Sequence, residues 1–227
     1  MILPRKLARY LFLTVMLGVL LCLVAVYNMA SSSPDTDSQP EDHSHTLSHI
    51  INRVYTDGML DHRNEHTLIP NIVTPDNVES EPGVDITICT QATPENLHYL
   101  KHMSMLWRGP ISVTVLSYGP AVKHALHQML QLHMCHEGVR KFVSFHLMMP
   151  VSHPPEGAND ILNMPLTCDS FENDKQHSTQ KNFQNLDLPY PQNTMRSIAI
   201  TYSKTAFIFM IDIDIMPSKN LAQNFFV

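Results

Sequence analysis

Runs of apolar residues alternate with stretches of helical periodicity over most of the chain beyond residue 84. Four runs are rich in β-branched and aromatic residues and predict strands at 84–90, 111–117, 141–149 and 206–211. The runs are apolar throughout rather than alternating, which is typical of strands covered on both faces. Because the strands alternate with helical segments, the pattern predicts an α/β domain with a largely parallel sheet.

Three helices are predicted between these strands. Thr93-Pro94 supplies a cap residue and a proline at the first helical position, and Gly119-Pro120 begins the second helix. The third helix lies at 194–203, after a polar, proline-bearing segment (150–189) that predicts a long loop. Apolar residues three and four apart mark the buried faces of the first two helices: Leu97, Leu100, Met103 and Leu106 or Trp107, then Val122, Leu126, Met129, Leu130 and Met134.

An uncharged apolar segment follows a basic N-terminus. No charged residue occurs between Tyr10 and Pro34, whereas residues 1–9 carry three basic side chains. A helix of about 20 apolar residues can cross the hydrocarbon core of a membrane. With the positive-inside rule, this predicts a cytoplasmic tail at 1–9, a transmembrane signal anchor at 10–30 and a lumenal remainder. A cleaved signal peptide is the alternative.

Residues 31–83 differ from the rest of the chain in composition. They are rich in Ser, Pro, Asp and Glu, with ten acidic and two basic residues. This composition predicts an extended lumenal stem, with a short local element at 50–55, before a domain at 84–227. No segment beyond residue 9 is basic, so nucleic acid is not expected as a partner.

The cysteines divide between the anchor and the lumenal part. Cys22 lies in the anchor, which leaves Cys89, Cys135 and Cys168 in a compartment that permits disulfides. Three cysteines leave one over, and their spacing does not reveal the pair. Cys89 stands in an apolar strand and is expected to be a small core residue.

The predicted strand at 206–211 continues directly into Asp212-Ile213-Asp214. Ligands of open parallel sheets bind at the carboxyl ends of strands, and alternate residues of an extended segment point the same way. Both carboxylates can therefore face one hard divalent cation, which would neutralise a diphosphate leaving group. Solvated loop carboxylates are the commoner explanation of such a pair. Together with the anchor and stem, the pair favours a metal-dependent glycosyltransferase.

The fourteen histidines suggest a competing metal chemistry. His98 and His102 are four residues apart on the first predicted helix and could present two ligands to zinc. No Glu follows His98, so the His-Glu-x-x-His pattern of zinc proteases is not met. Surface histidines are the favoured interpretation, and a membrane-anchored zinc hydrolase is a weaker hypothesis.

Four segments resemble a known family in order and spacing. They are VDITICTQATPENLHYL, WRGPISVTVLSYGP, VRKFVSFHLMMP and LPYPQNTMRSIAITYSKTAFIFMIDIDIMPS, which together cover roughly residues 84–220. They are similar to the LARGE-type glucuronyltransferases, glycosyltransferase family 49. The most specific part of the resemblance is one combination: Tyr190-Pro191, Asn193, Arg196, Ala199 and Asp212-Ile213-Asp214.

The resemblance implies an inverting GT-A-like nucleotide-diphosphosugar transferase domain in a single-pass type II Golgi membrane protein. It implies UDP-glucuronate as the donor, Mn²⁺ as the cofactor and a glycan on a glycoprotein as the acceptor. Association with itself or with other Golgi transferases is a further expected partner class. The resemblance implies that Asp212 and Asp214 bind the metal and the diphosphate. It implies that four further residues bind the donor: Thr90, Gln91, Asn193 and Arg196.

The chain departs from the family in its length, because family members continue well beyond the position of Val227. The general base, the acceptor site and a further metal ligand are expected from that later part, so the GT-A-like domain is expected to be incomplete. Two hypotheses follow. The first is a Golgi transferase that uses a UDP-sugar. The second is a non-catalytic, membrane-anchored family member that binds a donor or a partner protein.

Overall fold

The computed structural model describes residues 40–76, 85–168 and 188–225. The compact unit discussed here begins at Ser44. Within the described residues, the α-helices are α1 (Pro40–Thr56), α2 (Tyr99–Trp107), α3 (Ala121–Cys135), α4 (Glu137–Phe142), α5 (Gln192–Thr201) and α6 (Leu221–Asn224). The strands are β1 (Met59–Leu60), β2 (His66–Val73), β3 (Ile86–Ala92), β4 (Ile111–Leu116), β5 (Val143–Pro150) and β6 (Phe207–Met210). Two short 3₁₀ helices lie at Pro94–Asn96 and Ala158–Asn163.

The described strands form one six-stranded sheet in the order β1-β2-β5-β4-β3-β6. β5, β4, β3 and β6 pair in parallel, whereas β1 and β2 add an antiparallel extension beyond β5. The predicted α/β class and largely parallel sheet are therefore confirmed. The mixed α/β sheet fits a GT-A-like domain, and the carboxyl ends of the four parallel strands share one edge.

The three central strands are covered on both faces, as their apolar runs predicted. Every residue of β3 and β4 is buried, and only one residue of β5 is partly exposed. Alternate residues contribute to two apolar clusters, because successive side chains of a strand point to opposite faces. The larger cluster joins β3, β4 and β5 to α1, α2 and α3, and the smaller one packs α5 against Leu116 and Met148.

The interpretation of 31–83 as an extended linker is wrong for residues 47–73. Ile50, Ile51 and Val54 of α1 are buried in the main core, and β2 pairs with β5 inside the sheet. Arg53 joins the two elements by donating hydrogen bonds to the carbonyls of Pro70 and Asn71 (2.8 and 2.7 Å). The acidic average composition hid a helical spacing of apolar residues and a short β-rich run. The local element expected at 50–55 lies within α1.

Three other expectations need correction. Thr93 and Pro94 begin a 3₁₀ helix, and the α-helix that follows starts only at Tyr99. The short helix α4 was not predicted, and it delays the start of β5 to Val143. The strand before the aspartates was expected to be buried, but Phe207, Ile208 and Met210 are exposed. β6 is the edge strand of the described sheet, so nothing in the described chain packs along its outer side.

The predicted cytoplasmic tail and transmembrane anchor lie outside the described residues. Among the helices that the structure describes, none combines the length and the apolar character needed to cross a membrane.

The disulfide joins Cys135 at the end of α3 to Cys168. The sequence left this pairing open, and the structure also confirms Cys89 as a buried free cysteine. Cys89 lies on β3 beneath α5, with its sulfur 3.6 Å from the carbonyl oxygen of Ala199. The disulfide closes a loop of 33 residues that includes β5 and the second 3₁₀ helix.

We expect the double replacement Cys135→Ser with Cys168→Ser to lower the free energy of unfolding by about 2 to 4 kcal/mol, because an open loop gives the unfolded chain more conformational freedom. Urea unfolding of the oxidised protein and of the variant, followed by circular dichroism, measures the difference. Dithiothreitol should lower the stability of the parent protein only. Equal stabilities of parent and variant would contradict the structural role of this disulfide.

A buried histidine connects three strands to α5. The Nδ1 atom of His146 (β5) accepts a hydrogen bond from the backbone N–H of Asn71 in β2 (2.9 Å). Ser112 of β4 donates to the carbonyl of Ala199 in α5 (2.7 Å), so its oxygen accepts from Nε2–H of His146 (2.9 Å). Both ring nitrogens are therefore satisfied in the neutral form, and burial lowers the pKa of His146 to about 4.

We expect this histidine to make stability depend on pH. In the unfolded chain, His146 takes up a proton as the pH falls below its ordinary pKa of 6.5, whereas in the folded protein it does so only near pH 4. The stabilisation is therefore complete above pH 6.5 and is lost as the pH falls towards 4. At 1.36 kcal/mol per pKa unit, the full loss is about 3 kcal/mol. Urea unfolding between pH 7 and 4.5 measures most of this loss. The His146→Gln variant should lose less stability on acidification, and identical pH profiles would contradict the assignment.

Candidate functional site

A polar pocket lies at the carboxyl ends of β3 and β6, the edge at which parallel sheets bind ligands. Its volume is about 260 Å³. Gln91 reaches it from the end of β3, and the segment 212–214 follows β6 directly. The other contributions come from the turn and helix after β3 and from the start of α5. The lining residues are Gln91, Asn96, Tyr99, Tyr190, Gln192, Asp212, Ile213 and Asp214.

Two polar side chains from different elements donate hydrogen bonds to one carboxylate oxygen of Asp212. Oδ1 of Asp212 accepts hydrogen bonds from Nη2 of Arg196 (2.5 Å) and from Nε2 of Gln91 (2.8 Å). The amide oxygen of Gln91 in turn accepts from Nε of Arg196 at 3.3 Å. Arg196 reaches this position because it lies on the face of α5 that packs over β3. The three residues form a closed triangle, which we call the Asp212 triad.

Hydrogen bonding keeps Asp212 ionised. The Gln91 amide and then the Arg196 guanidinium hold the pKa of the Asp212 carboxyl below its usual range, and a hydrogen bond from Gln192 adds to the effect. Partial burial opposes this shift and is outweighed. The side chain of Asp212 remains 45% exposed, so an ionised carboxylate faces the pocket.

Asp214 differs from Asp212 in its surroundings. Its side chain is exposed on the pocket wall and makes no hydrogen bond or ion pair in the part of the chain that the structure describes. The intervening Ile213 is buried and packs in the main core. A hydrogen bond from the backbone N–H of Ile215 to the carbonyl of Asp212 closes the turn. This turn, rather than an extended strand, places two carboxylates on one pocket with a buried apolar residue between them.

These two carboxylates fit a divalent cation of the hard class. Mg²⁺ and Mn²⁺ take carboxylate oxygens and keep other coordination positions for water or phosphate oxygens. Asp214 has no competing protein partner among the described residues, and Asp212 is fixed in place by its triad. The donor set therefore suits a cation that also binds a diphosphate.

Two tyrosines form further parts of the pocket wall. Burial raises the pKa of Tyr190 to about 12, and the negative charge of Asp212 adds to this shift. Tyr190 therefore stays protonated at neutral pH and keeps its hydroxyl proton as a hydrogen-bond donor. Tyr99 lies at the start of α2 with its ring against that of His98. Both rings offer apolar surface beside the carboxylates.

The structure brings together four of the six residues that the sequence singled out. Gln91, Asp212 and Asp214 line the pocket, and Arg196 joins them through its hydrogen bonds to Gln91 and Asp212. Thr90 and Asn193 do not line the pocket. Thr90 is fully buried, because neighbours on a strand point to opposite faces and Gln91 takes the pocket face. Asn193 is exposed, because the helical turn that aims Gln192 and Arg196 at the sheet turns Asn193 outward.

Sequence reasoning missed four side chains of the pocket: Asn96, Tyr99, Tyr190 and Gln192. Asn96 and Tyr99 follow β3 within a few residues, so the rule for strand carboxyl ends could have indicated them. Tyr190 belonged to the combination that carried the family resemblance, although no role was assigned to it. Gln192 carries no local signal, since its role depends on how α5 lies across the sheet.

A second group of metal-ligating residues lies at the turn between β1 and β2. Within the described ranges, the ligand atoms of Asp61, Glu65 and His66 lie within 4.8 Å of one another. Asp61 is already bonded to the backbone N–H groups of Glu65 and His66 and to the His66 ring. These hydrogen bonds close the hairpin.

Of the histidines considered for zinc, His98 directs Nδ1 to the carbonyl of Glu95 (2.8 Å).

Comparison with known proteins gives one family and two relatives. The profile of a family described as glycosyl-transferase for dystroglycan matches residues 85–227. Beta-1,4-glucuronyltransferase 1 of Danio rerio is 27% identical over 191 residues, which cover 78% of this chain and 44% of that protein. Glycosyltransferase-like protein gnt12 of Dictyostelium discoideum is 27% identical over 146 residues, covering 64% of this chain and 25% of that protein. The chain thus spans less than half the length of either relative.

Proposed function

Because the chain belongs to the glycosyl-transferase for dystroglycan family, we propose that it binds a UDP-sugar with Mn²⁺ and transfers the sugar to a glycan of a glycoprotein. Glucuronate is the sugar we propose, since one relative is named a glucuronyltransferase. The reaction inverts the anomeric centre. The place of action is the Golgi lumen, with the chain held by the apolar segment at 10–30.

The observation that carries this proposal is the position of the carboxylate pair. Asp212 and Asp214 line the same pocket, at the carboxyl ends of two parallel strands. The Asp212 triad adds the Gln91 amide to that pocket and holds the Arg196 guanidinium beside it. A site of this kind offers oxygen ligands for a cation and N–H donors for anionic oxygens, which are the needs of a nucleotide diphosphate.

Asp212 and Asp214 would hold the Mn²⁺. The bound cation supplies Lewis-acid neutralisation of the charge that builds up on the departing diphosphate. Around it, Arg196 donates hydrogen bonds to anionic oxygens of the donor, and Tyr190 forms part of the pocket wall. Gln91 donates a hydrogen bond to Asp212 and keeps that carboxylate in position. Proton removal from the acceptor hydroxyl requires a general base on the far side of the sugar.

The second hypothesis, a family member that binds a donor without transferring it, shares this pocket. The two hypotheses therefore agree on donor binding and differ only in turnover.

Calorimetric titration of the full chain, purified in a mild detergent, tests donor binding first. UDP-glucuronate should bind with Mn²⁺ and lose most of its affinity when the cation is chelated. UDP-glucose, which lacks the carboxylate, is the matched control and should bind more weakly. Absence of UDP binding with and without Mn²⁺ would contradict the proposal. Release of UDP and transfer to glycan acceptors then distinguish an enzyme from a binding protein.

A further inference from the structure

Arg196 is engaged in the structure with the same carboxylate that is proposed to hold the cation. Its Nη2 atom lies 2.5 Å from Oδ1 of Asp212, and its Nε atom is directed at Gln91. Both groups are only partly buried, with side-chain exposures of 27% and 45%. The pair is therefore accessible to a competing ion at the pocket surface.

A divalent cation and the Arg196 guanidinium compete for the negative charge of Asp212. Two positive groups held on one carboxylate repel each other, and Oδ1 of Asp212 already accepts hydrogen bonds from two donors. Asp214 provides a second carboxylate without a partner among the described residues, so a cation gains a ligand that Arg196 does not use. A cation that binds both carboxylates therefore weakens the ion pair that holds Arg196 at Asp212.

Gln91 keeps the site ordered during such an exchange. It donates to Asp212 and accepts from Arg196, and it is itself 5% exposed at the end of a buried strand. When the guanidinium leaves, the amide still fixes the carboxylate. The freed guanidinium remains on α5, within reach of the same pocket, with its donors available for anionic oxygens.

We infer that Arg196 is an exchangeable counter-ion of Asp212, which a divalent cation displaces and which then binds the anionic part of the donor. This inference rests on the proposed function. It gives the site an order of binding, in which the cation comes first and creates the anion site. Arg196 lowers the affinity of the site for the cation before the donor binds. Once the cation is bound, Arg196 raises the affinity for the donor.

The first test measures Mn²⁺ affinity without nucleotide by electron paramagnetic resonance, on the full chain in detergent. The Arg196→Gln variant should bind Mn²⁺ about two- to fivefold more tightly than the parent, since a partly exposed ion pair is lost. With saturating Mn²⁺, the same variant should bind UDP-glucuronate about 10- to 100-fold more weakly, since charge-assisted hydrogen bonds are lost. Arg140→Gln is the control: it removes a cation that is paired with Asp76, and it should change neither affinity.

The second test observes the guanidinium directly in the parent protein, so it does not depend on the variant. The ¹⁵N resonance of Arg196 Nε, assigned by its absence in Arg196→Gln, should shift when diamagnetic Mg²⁺ is added. An unmoved resonance at saturating Mg²⁺, or Mn²⁺ affinity that is unchanged or weaker in Arg196→Gln, overturns the inference and leaves the proposed function intact. A parent protein that binds neither cation, even with UDP present, overturns the inference and the proposed metal site together.

Discussion

Replacement of Asp214 with asparagine is expected to lower Mn²⁺ affinity by about 100-fold or more and to abolish any Mn²⁺-dependent turnover, because it removes one of the two carboxylate ligands proposed for the cation. Asparagine keeps the size of the side chain and removes its charge. Asp214 has no hydrogen bond or ion pair among the described residues, so the change breaks no contact within the fold. The loss therefore reports cation binding rather than misfolding.

Mn²⁺ titration by electron paramagnetic resonance and UDP release from UDP-glucuronate are the two measurements. The matched control is Asp160→Asn, which alters an exposed carboxylate that pairs with Lys123 outside the pocket. That variant should keep the parent affinity. Full Mn²⁺ affinity in Asp214→Asn would remove Asp214 from the metal site, even if Asp212→Asn were inactive. Asp212 is less informative alone, since its replacement also disrupts the Asp212 triad.

The largest expected loss of stability comes from Trp107→Ala, at about 3 to 5 kcal/mol. Trp107 is fully buried at the end of α2, and its indole N–H donates to the carbonyl of Pro110 (3.0 Å). Its ring stacks on Phe209 of β6 with centroids 6.0 Å apart. Truncation therefore leaves a cavity beside the strand that leads to Asp212, and we expect cation affinity to fall as well.

Urea unfolding followed by circular dichroism measures the free energy of unfolding of this variant. Trp107→Phe keeps a ring against Phe209 and should cost less, because the main losses are the indole hydrogen bond and some volume. Met105→Ala is the matched control on the same helix: its side chain is 62% exposed, and it should change the stability by at most about 0.5 kcal/mol. Equal effects of Trp107→Ala and Met105→Ala would show that the α2–β6 contact does not stabilise the fold.

The parts of this fold that could be predicted from the sequence are those encoded locally. Unbroken apolar runs correctly identified the three central strands β3, β4 and β5, and the aspartates after the last run mark a strand end. The edge position of β6 is different, because it depends on which strands lie beside it, and its hydrophobicity gave no warning of its exposure. For α1 and β2, an acidic average composition hid apolar residues at regular spacing.

The candidate site shows the same division. Asp212 and Asp214 were found from three consecutive residues and the strand before them. The Asp212 triad joins residues that are 105 and 121 positions apart in the chain, so no local pattern contains it. The choice between Thr90 and Gln91 was within reach of the sequence, because two neighbours on a strand cannot both face one pocket. Assigning both residues to donor binding overlooked that alternation.

The position of Cys89 beneath α5 makes it a reporter of local motion. Burial raises the pKa of its thiol to about 12, so the folded protein holds almost no reactive thiolate at neutral pH. Alkylation of Cys89 must then wait for α5 to separate from the sheet. The rate of alkylation, measured by mass spectrometry of the peptide, therefore reports how often α5 opens. Because α5 carries Arg196, a donor that binds Arg196 should hold α5 against the sheet and lower the rate of Cys89 alkylation.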